Sequence, residues 1–96
     1  MSEIISAAVT ALNAKIGAEG FDGIAKFEIE GEGALIIDAG GARAGDEEAD
    51  VTLSASAETF ESIMTGALDP TGAFMSGQLK IDGDMGAAMR LAQVLA

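Results

Sequence analysis

Between Ala25 and Glu30 apolar and charged side chains alternate strictly, Ala25, Phe27 and Ile29 against Lys26, Glu28 and Glu30. A period of two sends successive side chains to opposite faces of a strand, so one face is apolar and the other wet. Gly31-Glu32-Gly33 supplies a turn, after which Leu35, Ile37 and Ala39 alternate with Ala34, Ile36 and Asp38. That pattern predicts a hairpin. A third strand follows with Val51, Leu53 and Ala55 inward and Asp50, Thr52, Ser54 and Ser56 outward, and a fourth over residues 78–82 with Leu79 and Ile81 inward and Lys80 outward. Short strands with one wet face belong to an antiparallel sheet covered on one side.

The cover is helical. Ser2 can cap a first helix with Glu3 in its first turn, Ile5, Val9, Leu12 and Ile16 on one face and Gly17 as a stop. Ser56 caps a second helix, with Glu58 in its first turn, Phe60, Ile63, Met64 and Ala67 on its apolar face and Gly66 near its end. Asp69-Pro70 opens a short helical turn carrying Phe74 and Met75, since proline at the first helical position loses no hydrogen bond. Asp84 caps the last helix, where Met85, Ala88, Met89, Ala92 and Leu95 share a face that Leu91 and Val94 widen. Residues 40–49, with three glycines and the run Asp46-Glu47-Glu48, read as a solvated loop. The architecture expected is α+β: a two-layer domain over residues 1–96 with helices packed on one face of the sheet.

Composition removes whole classes of chemistry. With no cysteine and no histidine among 96 residues, disulfides, thiolate metal sites and nucleophilic triads are excluded. A net charge of −11 repels phosphate backbones and anionic bilayers, so nucleic acid is not an expected partner. Glu3 stands where a signal peptide carries positive charge, and the longest apolar run, residues 34–37, is far shorter than a membrane span. No stable membrane insertion and a cytoplasmic location are the expectation.

The carboxylates form no convincing site. Asp82 and Asp84 could open a calcium loop, but its twelfth position is Gln93 rather than a bidentate Glu. The glycine pairs complete no nucleotide fingerprint and open no helix. No metal, cofactor or catalytic residue is expected, and the domain reads as a non-enzyme. What stands out is apolar: Phe60, Ile63, Met64, Phe74, Met75, Met85 and Met89, with four of the five methionines between residues 64 and 89. Methionine fills irregular gaps in a core and also lines surfaces that accept varied apolar ligands.

The segment Asp50-Val51-Thr52-Leu53-Ser54-Ala55-Ser56, followed by Phe60, Met64, Gly66, Asp69-Pro70, Ala73-Phe74-Met75, Gly77, Leu79-Lys80-Ile81, Gly83-Asp84-Met85 and Leu91, resembles the sterol-binding domain of the sterol carrier protein type 2 family. Lys26-Phe27-Glu28-Ile29 and Ile36-Ile37-Asp38 extend the resemblance over nearly the whole chain. The resemblance implies a mostly antiparallel sheet of about five strands, one more than the alternation supplies, with residues 22–25 or 40–49 as the place for it. It also implies an apolar cavity between helices and sheet that holds a fatty acid, sterol-like or other apolar lipid without catalysis. The seven residues above become its expected lining. Family members are often basic and bind anionic membranes; a charge of −11 predicts neither that docking nor a preference for acyl-coenzyme A. The other reading keeps the fold as an accessory subunit of a lipid- or quinone-synthesising assembly, with its apolar residues as plain core.

Overall fold

The computed structural model describes residues 3–17 and 20–95. The Ser2 cap and the side chain of Leu95 lie outside the described residues. Along the chain run α1 (Glu3–Ile16), β1 (Ala25–Ile29), β2 (Gly33–Asp38), β3 (Gly41–Ala44), β4 (Val51–Ala55), α2 (Ala57–Met64), α3 (Pro70–Met75), β5 (Lys80–Gly83) and α4 (Met85–Leu95). The strands form a five-stranded sheet in the order β3-β2-β1-β4-β5. One face, carrying Phe27, Leu35, Ile37, Val51 and Leu53, is buried with Ile5, Leu12, Phe60, Ile63 and Leu91 of the helices. This is the two-layer α+β arrangement that the alternating strands demand.

The fifth strand is β3, inside the stretch read as a solvated loop. Gly-Ala-Arg-Ala has little strand character of its own. Its place is fixed by pairing with β2, where Ile37 faces Ala42, and by Asn13 of α1, whose side-chain amide donates to the Ala42 carbonyl (3.0 Å) and accepts from the Ala42 N–H (2.8 Å).

Direction differs from the antiparallel reading at one seam. β1 and β4 run parallel, with Phe27 beside Leu53, whereas β1–β2, β2–β3 and β4–β5 are antiparallel. Alternation reports which face is wet and carries no information on strand direction.

Other departures are local. The last strand spans Lys80–Gly83 rather than residues 78–82, with Leu79 buried just ahead of it. Ala39 is exposed in the β2–β3 turn, and Ala67 is exposed beyond the end of α2.

The polar face is not uniformly wet. Ile36, which the alternation points outward, is fully buried. The segment after β3 crosses above it: the Gly45 N–H donates to the Ala34 carbonyl (3.2 Å), and an ideal Cβ on Gly45 would stand 3.7 Å from Ile36 Cγ1. Lys26, beside Ile36 in register, ties this segment down through Asp46 at 2.9 Å, its side chain only 17% exposed. Arg43 reaches Asp38 at 2.6 Å and Glu47 at 3.3 Å. The hydrogen bond to Asp46 raises the Lys26 pKa. The Arg43 guanidinium, helped by the Gly40 N–H, holds the Asp38 carboxyl below its ordinary value.

Candidate functional site

The helices that carry the expected lining residues are fixed by their caps. Ser56 Oγ accepts from the Thr59 N–H at 3.1 Å and starts α2; Asp69 Oδ2 accepts from the Gly72 N–H at 3.1 Å and, with Pro70, starts α3. Asp84 Oδ1 accepts from the Gly86 N–H at 2.9 Å ahead of α4, and its own N–H donates to the Asp50 carbonyl at 2.9 Å. This second bond anchors the start of α4 to the segment entering β4.

From that anchor α4 lies with Ala87, Ala88 and Leu91 buried, and not with Met85 and Met89 at the centre of its inward face as the spacing suggested. The two alanines let the helix approach closely, which leaves Met85 (44% exposed) and Met89 (51%) at its flank. Phe74 (41%) stands with them across a narrow crevice floored by Leu53 and Ile81 and closed by Pro70, Ala88 and Ala92. Its walls are almost wholly apolar and its volume is about 30 Å³, room for a water or two. Met75, 81% exposed, is not part of this lining.

A second apolar hollow lies between α1 and α2. It is an open cleft of about 320 Å³, lined by Ile4, Ala7, Ala8, Ala11, Phe60 and Met64, with Glu3, Glu61 and Thr65 at its rim. Phe60 turns its ring edge-on to Phe27, the centroids 4.7 Å apart. Because Leu53 lies beside Phe27 in the sheet, this aromatic pair stands between the two hollows. Ile63 is fully buried in the common core.

The structure thus divides the seven expected residues. Phe74, Met85 and Met89 gather over one crevice, Phe60 and Met64 over the other, Ile63 is core and Met75 faces solvent. The contribution of α1 was not read from the sequence. Its signal is a second helical stripe, Ile4, Ala7, Ala8 and Ala11, beside the larger stripe that packs on the sheet.

A sequence model described as the SCP-2 sterol transfer family matches residues 5–96. The chain belongs to the SCP-2 sterol transfer family. Among curated relatives, hydroxysteroid dehydrogenase-like protein 2 of Danio rerio is 44% identical over 82 residues, covering 77% of this chain and 20% of that protein. Sterol carrier protein 2 of Homo sapiens is 46% identical over 46 residues, covering 48% of this chain and 8% of that protein. The chain therefore spans about a fifth or less of the length of these two relatives. The solution structure of sterol carrier protein-2 from Aedes aegypti, in complex with the C16 fatty acid palmitate, superposes with a TM-score of 0.78 at 20% identity and covers 100% of this chain and 97% of that one. The overall fold is thus shared with that protein along the whole chain. Among the described residues of this SCP-2 domain no buried side chain is polar or charged.

Proposed function

We propose that this SCP-2 domain is a non-catalytic lipid carrier that holds an apolar chain between α3, α4 and the sheet. The observation that carries the reading is the trio Phe74, Met85 and Met89, half-exposed above an apolar floor of Leu53 and Ile81. Large apolar side chains left in water beside an apolar crevice are arranged to be displaced or covered. Methionine has three rotatable bonds and adapts to irregular apolar partners. An entering alkyl chain would swing Met85 and Met89 aside and take over their contacts with the floor. Each methylene so buried contributes about 0.8 kcal/mol, so roughly 15 of them give about 12 kcal/mol, which leaves micromolar affinity after a cost of association of about 4 kcal/mol. Among the described residues no buried side chain offers an acid, base or nucleophile, which supports binding rather than reaction. The palmitate held by the Aedes aegypti protein of the same fold supports a fatty acyl chain as one ligand.

The test is displacement of a fluorescent fatty acid from delipidated protein, together with native mass spectrometry of freshly purified protein. Saturable binding in the micromolar range is expected, with loss of it in Met85→Glu and Met89→Glu. A folded protein with no saturable binding below about 100 μM would overturn the reading.

Met75 favours a second reading. A methionine 81% exposed and outside both hollows gains nothing from a bound lipid, and it extends the apolar end of the domain as a surface for another protein or domain. The accessory-subunit role would use that surface, and crosslinking from position 75 tests it.

A further inference from the structure

We propose that the α1–α2 cleft is a separate binding site for a single-chain amphiphile with a positively charged amine head. It shares no lining residue with the crevice over the sheet and does not depend on lipid carriage there. Its floor is an apolar trough in which Ile4, Ala7, Ala8 and Ala11 of α1 face Phe60 and Met64 of α2. Three alanines keep α1 short of filling the space, and about 320 Å³ falls at the lower end of the range for small-ligand sites. A twelve-carbon alkyl chain, at about 27 Å³ per methylene, has a volume close to that of the cleft.

The rim sets the head group. Glu3 and Glu61 both border the cleft, and the ion pairs among the described residues, Lys26–Asp46, Arg43–Asp38 and Arg43–Glu47, all lie on the far side of the sheet. The remaining Lys and Arg side chains are elsewhere. Lys15 is in the last turn of α1, about 18 Å along the axis from Glu3 at 1.5 Å per residue. Lys80 borders a polar hollow with Glu28 and Glu30, and Arg90 leans on the Asp22 carbonyl at 3.4 Å. Among the described residues, a carboxylate head in this mouth would meet two like charges and no Lys or Arg side chain. An ammonium head would meet two carboxylates.

The experiment is isothermal titration at low salt with dodecylamine, dodecanol and dodecanoate, each below its micellar concentration, with methyl NMR to locate the site at Met64. Followed through the Met64 methyl, so that binding at the Phe74–Met85–Met89 crevice does not count, dodecylamine is expected to bind roughly tenfold or more tightly than dodecanoate, with dodecanol between them, and added salt should narrow the gap. Glu3→Gln with Glu61→Gln should bring amine and acid together, and Ala11→Leu should remove amine binding by filling the trough. Both glutamates are exposed, so the glutamine variant decides the question even if Ala11→Leu fails to fold. Equal affinity for amine and acid would overturn the proposal. So would a gap that survives the glutamine changes, which would trace to the overall charge of −11, or a Met64 signal that does not move.

Discussion

Phe60 stands edge-on to Phe27, the ring planes at 72°, and so plants α2 on the middle of the sheet. Phe60 is buried, and truncating such a residue to alanine typically costs about 3 to 5 kcal/mol. Phe60→Ala should therefore lower the unfolding free energy by roughly that amount in urea titration, and Phe60→Leu by less. If the alanine variant folds, the cleft between α1 and α2 should open toward the crevice under α4. A loss below about 1 kcal/mol would mean that α2 is held without this wedge.

Helix α2 owes its start to one hydroxyl. Ser56 Oγ is the acceptor for the Thr59 N–H, and Ser56→Ala should cost about 1 kcal/mol, while Ser56→Asn or Ser56→Asp keeps an acceptor and stays near the parent. Chemical denaturation of the three variants checks this, and an alanine variant as stable as the asparagine one would contradict it.

Acid should loosen the Asp38–Arg43 tie between β2 and β3. The Asp38 carboxyl, held by Arg43, titrates below its ordinary 3.8 in the folded state, so the contribution of this pair is fully present above that value. It is lost as pH falls through the lower, folded value. Asp38→Asn removes the contribution, so the stability gap between parent and variant should be constant near neutrality and shrink below about pH 4. Urea titrations of both proteins across that range are the measurement, and a gap that widened on acidification would reverse the sign argued here.

Two glycines of positive φ should differ sharply when replaced by alanine. At Gly83, φ +114°, a Cβ would stand 2.5 Å from the Asp50 carbonyl oxygen and 3.0 Å from Val51 Cα, backbone atoms that cannot turn aside. At Gly31, φ +77°, it would meet nothing within 4 Å. Gly31→Ala should cost only the conformational penalty of about 1 to 2 kcal/mol, and Gly83→Ala clearly more. Because Gly83 precedes the anchor between Asp84 and Asp50, the larger loss should appear as loosening of α4, read as faster amide exchange at Ala87 and Ala88. Equal losses at the two sites would refute the close approach.

Much of this was legible in local chemistry. Ser56 and Asp69-Pro70 announced their helices because capping is a short-range bond, and the alternation in β1 and β4 marked the buried face of the sheet. What stayed hidden depends on distant partners. β3 is a strand because β2 and Asn13 hold it there. Ile36 is buried because a segment arriving some ten residues later folds across it. The methionines shared a face with Ala88 on paper, but the closeness permitted by Ala87 and Ala88 turned α4 until Met85 and Met89 flanked the sheet rather than covering it. Family resemblance supplied the fifth strand, and it could not supply the turn of α4 or the share of α1 in the second hollow.

The amide of Asn13 has a further consequence. An outermost strand offers a row of free donors and acceptors on which another chain can assemble. Asn13 occupies both groups of Ala42 on that side with the same donor and acceptor pair that a neighbouring peptide unit would bring. At the centre of the four-residue β3, one side chain of α1 thus stands in for the missing sixth strand, and a second copy of the domain meets a border already spoken for.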